Sequence, residues 1–394
     1  LPVPRRSYLA VGAGFLVNLM LGWVYTYGVF LLPLAQDFRC STAAAAAPFA
    51  IFVAMNTLGN FLGGWLQDRL PPRLVISTGN VIFYTGLLAA SRAHSLPGFI
   101  ATYSLWSGVG EGMTYVPCVS TAVKWFPARR GLVTGLVIGG LGLGAVAWAP
   151  LCQALIDRWD WRAAFAILAG AFLVASVLAS QFIHNPPSKP VETEAHDPGG
   201  DDYSLRRALG TGAFWLAFAG YVLATGAGLL VMSHIVAIAR GSGFTPLAAA
   251  LAVSFVAPGN AAGRLIFGAL SDRQGRTRVL ILTTALQAGI CLVLATAHAP
   301  GVLYPLCLLF GLCYGSWYSI YAPLVADLYG TRHLGSIYGV LTLSYGVGAL
   351  FGPVIGGAVR DATGSYAWAL WGCSAACLGA CALFSLVRKP GKAS

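Results

Sequence analysis

Apolar residues along this chain do not alternate with polar ones, as they would in a strand, nor do they form the single stripe of a surface helix. They run on for whole segments. Twelve such segments fall near 7–33, 42–67, 74–92, 97–122, 131–155, 162–184, 211–239, 246–271, 278–298, 302–326, 334–358 and 366–387. Each is about 20 residues or longer, enough to cross a hydrocarbon layer of roughly 30 Å as a helix. Lipid offers backbone amides no hydrogen bonds, so spanning segments of this kind are helical. The pattern predicts an all-α membrane protein with twelve transmembrane helices.

One long polar interruption breaks the series. His184 to Arg207, HNPPSKPVETEAHDPGGDDYSLRR, is rich in proline and holds five of the thirteen acidic residues. It predicts a cytoplasmic linker over 185–210 between two six-helix bundles, 1–184 and 211–394. The bundles are expected to be copies. Gly64-Trp-Leu-Gln-Asp68-Arg69 after the second span matches Gly268-Ala-Leu-Ser-Asp272-Arg273 after the eighth, and GVGEGMTY (108–115) matches GLCYGSWY (311–318). Six spans separate the equivalents, so both copies have one orientation. Two parallel repeats with a central cavity between them are a transporter architecture.

Composition supports this picture. The chain is 57% hydrophobic and 9% charged, where a soluble domain carries about 25% charged residues. The net charge of +11 would suggest nucleic acid until the charges are mapped. With both termini cytoplasmic, 17 of the 24 Lys and Arg fall on the cytoplasmic side, six on the outer side and Arg264 within a span. The positive-inside rule therefore accounts for the charge and orients the protein in a cell membrane, the inner one in a bacterium. No nucleic-acid partner is needed. The nine cysteines lie mostly in apolar runs and form no CxxC pair. Cys373, Cys377 and Cys381 share a helix face but read as packing residues, so neither a metal nor any other cofactor is expected.

The candidate chemistry is sparse and therefore conspicuous. Arg264 lies eight residues before Asp272, about 12 Å above the cytoplasmic turn. A charge that deep is costly and marks a functional site, and guanidinium fits a carboxylate through two parallel hydrogen bonds. Asn260, four residues earlier, shares its face. Glu111, in GVGEGM, is a buried acid suited to carrying a proton, or to bonding a neighbouring helix across its flanking glycines. His234 is the other group placed to relay protons, against the blander reading of a packing residue. Tyr25, Tyr103, Tyr314 and Tyr318 each offer an apolar ring and one hydroxyl, suited to a small acid.

GALSDRQGRTR (268–278) resembles the loop signature of the major facilitator superfamily, with a degenerate first-half copy carrying Pro71 and Pro72. VKWFPARRGLVTGLVIGGLGLGA (123–145), GWVYTYGVFLLPL (22–34) and the Asn260-x-x-x-Arg264 pattern resemble the monocarboxylate–proton symporters and their oxalate/formate-exchanging relatives. The resemblance covers the whole chain. It implies the major facilitator fold, a substrate carboxylate on Arg264 and tyrosines of the first, fourth and tenth helices lining the cavity. Two positions depart from it: the family's first-helix lysine aligns with Tyr25, and its eighth-helix acid with Asn260. The usual proton-carrying pair is absent, which directs attention to His234 and Glu111.

The expected function is secondary active transport of a small monocarboxylate of the lactate and pyruvate class, coupled to protons, by a monomer that alternates access across the bilayer. An oxalate/formate-type exchanger is the alternative, but a dicarboxylate favours a second buried cation and no lysine lies in any span. An enzyme is not expected, since no metalloprotease, nucleophile-elbow or phosphate-loop motif is present.

Overall fold

Among the described residues, each expected span is helical over most of its length. The computed structural model describes residues 5–187, 202–241, 243–296 and 300–390. The first span is a broken rod: α1 (Arg5–Leu21), a 3-10 stretch over Gly22–Thr26, then α2 (Tyr27–Asp37). α3 (Thr42–Gln67) starts at Ser41, whose side chain accepts from the Ala44 amide. α4 (Pro72–Ala90) begins with a proline at its first turn, where no amide proton is required. The fourth span is built from α5 (Leu96–Phe99), a π-helical stretch over Ile100–Ser107 and α6 (Gly108–Trp125). α7 (Arg130–Arg158) and α8 (Trp161–Ser180) follow, the latter capped by Asp160.

Of the polar segment, 188–201 lies outside the described residues. Beyond it come the short α9 (Leu205–Leu209), capped by Ser204, then α10 (Gly212–Gly241), α11 (Pro246–Gln274) and α12 (Arg276–Leu294). The series closes with α13 (Pro300–Tyr329), α14 (Leu334–Thr363) and α15 (Ala367–Leu386). No strand occurs among the described residues. Ten helical segments among them are long and apolar enough to cross a membrane. The two other expected spans, 97–122 and 246–271, are helical throughout, as α5 to α6 and as α11, without being among those ten.

The chain forms two compact units. One comprises Leu1–Pro127, Leu136–Pro198 and Thr331–Thr342; the other comprises Ala128–Gly135, Gly199–Gly330 and Leu343–Ser394. In the first, α3 and α4 pack on α6, and α8 packs on α4. In the second, α11 and α12 pack on α13, and α15 packs on α10 and α12. The start of α7 thus belongs with the second unit and the start of α14 with the first.

The repeated Gly-x-x-x-Asp explains why those helix starts are held. In the second unit, Asp272 accepts from the amides of Gly131 and Leu132 at 2.8 and 3.0 Å, filling two donors at the N-terminal end of α7. Asp68 accepts from the amides of Gly335 and Ser336 at 3.1 and 2.7 Å, doing the same for α14 in the first unit. Gly268 lies against the Gly131 carbonyl and Gly64 against the Gly335 carbonyl, so any Cβ at these positions would push the helices apart.

The copies differ in their ions. Asp272 also pairs with Arg276 at 2.6 Å; Arg276 reaches Asp327 at 3.0 Å, and Asp327 pairs with Arg130 at 2.5 Å. Gly275, with φ +94°, makes the turn that brings Arg276 back onto Asp272. The first copy has Pro72 where Arg276 would stand.

This asymmetry predicts unequal costs. Asp68→Asn removes a helix-end charge and one of two accepting oxygens, worth about 1–2 kcal/mol. Asp272→Asn also removes one of the two carboxylates that hold the buried Arg276 guanidinium and costs roughly 2 kcal/mol more. Thermal-aggregation midpoints of the detergent-purified variants should fall in that order. Equal shifts would show that the Arg276 pair adds nothing.

Candidate functional site

The site in the second unit is built where α11 crosses α13. Gly311 and Gly315 lie directly on the α11 backbone, at the Val256 carbonyl and the Asn260 carbonyl. That contact brings the polar face of α11 beside the tyrosines of α13. Arg264 is buried, with 6% of its surface exposed. Its Nε donates to Asn260 Oδ1 at 2.9 Å, the bond that the i, i+4 spacing allows. Its guanidinium carbon lies 5.0 Å from the Tyr318 ring centroid, a cation–π contact. The Tyr318 and Tyr314 hydroxyls are 3.1 Å apart, and Tyr345 meets the Tyr318 ring edge-on at 5.8 Å. Asn260 therefore spends its carbonyl on the arginine, leaving its amide as the end that can donate.

The first unit holds a second polar array at the matching crossing, α3 against α6. Gly108 and Gly112 lie on the Phe52 and Asn56 carbonyls, as Gly311 and Gly315 do on Val256 and Asn260. Glu111 is buried and accepts from Asn56 Nδ2. Asn60 Nδ2 in turn donates to Asn56 Oδ1 at 3.2 Å. Asn60 Oδ1 is buried without a hydrogen-bond partner among the described residues. Tyr115, one turn beyond Glu111, is within 3.4 Å of the Tyr338 hydroxyl.

The remaining candidates are dispersed. Tyr103 is buried in an aromatic cluster, stacked on Phe99 at 5.1 Å and beside Tyr27 and Phe52. Its hydroxyl has no hydrogen-bond partner among the described residues. It lies on the π-helical stretch and lines a small cavity with Trp23, Thr26 and Phe165. Tyr25 is half exposed in the 3-10 stretch of the first span.

His234 is tied at both ring nitrogens: Nε2 is 3.0 Å from the Pro353 carbonyl and Nδ1 is 3.1 Å from the Tyr366 hydroxyl. A carbonyl only accepts, so Nε2 carries the proton, and in the neutral ring Nδ1 accepts from Tyr366. Cys373 and Cys377 make local contacts to the Ala227 carbonyl and to Gln287, and no group of three potential metal ligands occurs among the described residues.

Asn56 and Asn60 escaped the sequence reading, yet the signal was available. The offset of 204 that relates Asp68 to Asp272 also relates Asn56 to Asn260 and Asn60 to Arg264. The offset of 203 between the GVGEGMTY and GLCYGSWY copies pairs Glu111 with Tyr314 and Tyr115 with Tyr318. The two arrays are one architectural position filled with different chemistry: an acid and two amides in one copy, a guanidinium, an amide and two phenols in the other.

Comparison with known proteins places this arrangement. A family profile described as Major Facilitator Superfamily matches residues 12–348 and 230–394. Monocarboxylate transporter 13 of Bos taurus is 29% identical over 362 residues, covering 91% of this chain and 83% of that protein. The oxalate:formate antiporter of Oxalobacter formigenes is 24% identical over 358 residues, covering 90% and 85%. Among solved structures, the major facilitator transporter FucP in its outward conformation superposes with a TM-score of 0.75 at 16% identity, over 96% of this chain and 99% of that one. That likeness carries the fold. The chain is a multi-pass membrane transporter, not an enzyme, and it belongs to the Major Facilitator Superfamily, with monocarboxylate transporters and an oxalate:formate antiporter among its relatives.

Proposed function

We propose that this protein is a secondary active transporter of small monocarboxylates, of the lactate and pyruvate class, coupled to protons. The observation that carries the reading is Arg264. It is a guanidinium buried in an apolar helix, oriented through Nε by Asn260 and backed by the Tyr318 ring. Such a group presents a planar fork of donors matched to one carboxylate. The Asn260 amide and the Tyr314–Tyr318 hydroxyl pair supply further donors. A short alkyl tail would pack on aromatic rings.

The halves 1–184 and 211–394, joined by 185–210, act as the two bundles. The protein works as a monomer in the cell membrane with both termini cytoplasmic, and exposes the Arg264 site to each side in turn. It needs no cofactor.

Glu111 is the proton carrier in this reading. It is a buried acid whose described hydrogen bond comes from an amide and not from a fixed cation. His234 is the lesser candidate, because Pro353 and Tyr366 hold both its nitrogens. A proton on Glu111 and a carboxylate on Arg264 together leave the loaded protein with the smallest uncompensated buried charge. The named relatives include an oxalate:formate antiporter, so exchange without net proton movement is the rival mode.

Three results are expected in cells or proteoliposomes given labelled C2–C4 monocarboxylates. Wild-type accumulation collapses with a protonophore; accumulation indifferent to it, with exchange intact, favours the rival mode. Arg264→Ala and Arg264→Lys lose roughly 30-fold or more in apparent affinity, about 2–5 kcal/mol for a truncated or misfitted charge pair. Uptake by either variant at the wild-type rate would remove Arg264 from the site. Glu111→Gln keeps exchange but loses proton-driven accumulation, whereas His234→Gln stays within about twofold of wild type. The reverse pattern would move the proton to His234.

A further inference from the structure

We propose that Asn56 and Asn60 form a reversible hydrogen-bond relay that converts the protonation state of Glu111 into a change of polarity at Asn60, the first-unit counterpart of Arg264. This deepens the proton-coupled transport reading and rests on it.

The relay is directional as it stands. Asn60 Nδ2 donates to Asn56 Oδ1, and Asn56 Nδ2 donates to Glu111 Oε2. Every donor points toward the carboxyl group. That is the order an ionised carboxylate imposes, since it can only accept. The far end is then Asn60 Oδ1, a buried acceptor with no hydrogen-bond partner among the described residues. A lone acceptor in that position repels an anion.

Protonating Glu111 reverses the demand. The carboxylic acid now has an O–H to give, and Asn56 can take it at Oδ1 once its amide turns over. Asn56 turns its amide over, a change of almost no volume, and donates Nδ2 to Asn60 Oδ1. Asn60 turns as well, and its NH2 becomes the free end. A donor at Asn60 favours a carboxylate. The proton goes from solvent to Glu111 and stays there; no other bond forms or breaks. Low dielectric strengthens both alternatives and makes a mixed order costly, because one amide would then face another donor to donor.

The surroundings leave the chain free to answer to Glu111 alone. Among the described residues, the phenols of Tyr84 on α4 and Tyr103 on the π-helical stretch are close enough to interact electrostatically with the carboxyl group. Both are neutral phenols. From α1, which also packs on α6, Asn18 bonds back to its own helix at the Gly14 carbonyl. Tyr115 lies on α6 itself. The charged side chains of these helices, Arg6, Arg73 and Lys124 among them, stand in terminal turns. Gly112 lies on the Asn56 carbonyl and the Asn60 amide, which fixes the backbone and leaves side-chain torsion as the moving part. In the second copy the matching residue is Arg264, a permanent donor.

The test uses the full chain in proteoliposomes with labelled lactate counterflow, read as apparent KM against pH. In the wild type, KM should rise by about tenfold from mildly acidic to mildly alkaline pH, the worth of one hydrogen bond to a charged group gained or lost. Glu111→Gln presents an amide that can donate permanently and should hold KM at the low value at every pH. Asn56→Leu cuts the relay and should flatten the slope with Glu111 intact; Asn56→Ser is the second variant if leucine prevents folding. A wild-type slope in both Asn56 variants overturns the relay.

Infrared difference spectra across the same pH range, with asparagine isotopically labelled, provide a readout that needs no substrate. Asparagine amide bands should shift together with the Glu111 carboxyl band and stop shifting in Glu111→Gln. A carboxyl band that titrates with no asparagine change overturns the relay. Absence of lactate counterflow in the wild type, with the amide bands still shifting, overturns the substrate assignment and leaves the relay standing.

Discussion

A charged side chain inside a membrane helix must find its partners within a few ångströms, because the surrounding phase provides none. The arrangement of both polar arrays follows from that requirement. Arg264 takes a carbonyl from one turn earlier and an aromatic face from the neighbouring helix. Glu111 takes an amide from α3. The contacts that cross helices, Tyr318 to Arg264 and Asn56 to Glu111, require the axes to approach closely, and the glycines of α6 and α13 permit that approach by resting on the facing backbone. The polar chemistry and the small-residue packing are one design: remove the glycines and the partners separate; remove the partners and the charges lose their reason to be buried.

Internal duplication makes the comparison within the chain unusually informative. The same crossing occurs twice with the same glycine spacing, and the same aspartate closes a helix start twice. Against that constancy the substitutions stand out. Asn60 became the counterpart of Arg264, Glu111 of Tyr314, and Pro72 of Arg276. The backbone solution was kept and the charges were redistributed. One copy retains the permanent positive charge and the fuller ion network, and the other retains the titratable acid. In the proposed reading the copy with Arg264 holds the anion and the copy with Glu111 takes the proton.

The helix irregularities are also unevenly shared. In the first unit the first span breaks into a 3-10 stretch and the fourth into a π-helical one, and residues of both line the same small cavity. In the second unit α10 and α13 run through without such a break. Irregular helices at functional positions are common because they release backbone groups and redirect side chains. Tyr103 is the side chain redirected here, with its ring in an aromatic cluster and its hydroxyl unpartnered among the described residues.

Much of this was legible from sequence. Apolar run length determined the helices, since lipid admits little else, and the two copies of Gly-x-x-x-Asp exposed the duplication. The depth of Arg264 singled it out, because burial of charge is expensive wherever the fold places it. The partners were not legible. Nothing local says that Asn260 turns its carbonyl rather than its amide toward Arg264, that Asn56 reaches Glu111 from a helix 55 residues away, or that Pro353 and Tyr366 occupy both nitrogens of His234. Those facts depend on which helix faces cross and how closely, a property of packing in three dimensions. The sequence by itself determined which residues could not be ordinary; the tertiary structure decided what each of them touches, because a hydrogen bond is fixed by distance and direction that spacing along one helix cannot supply across two.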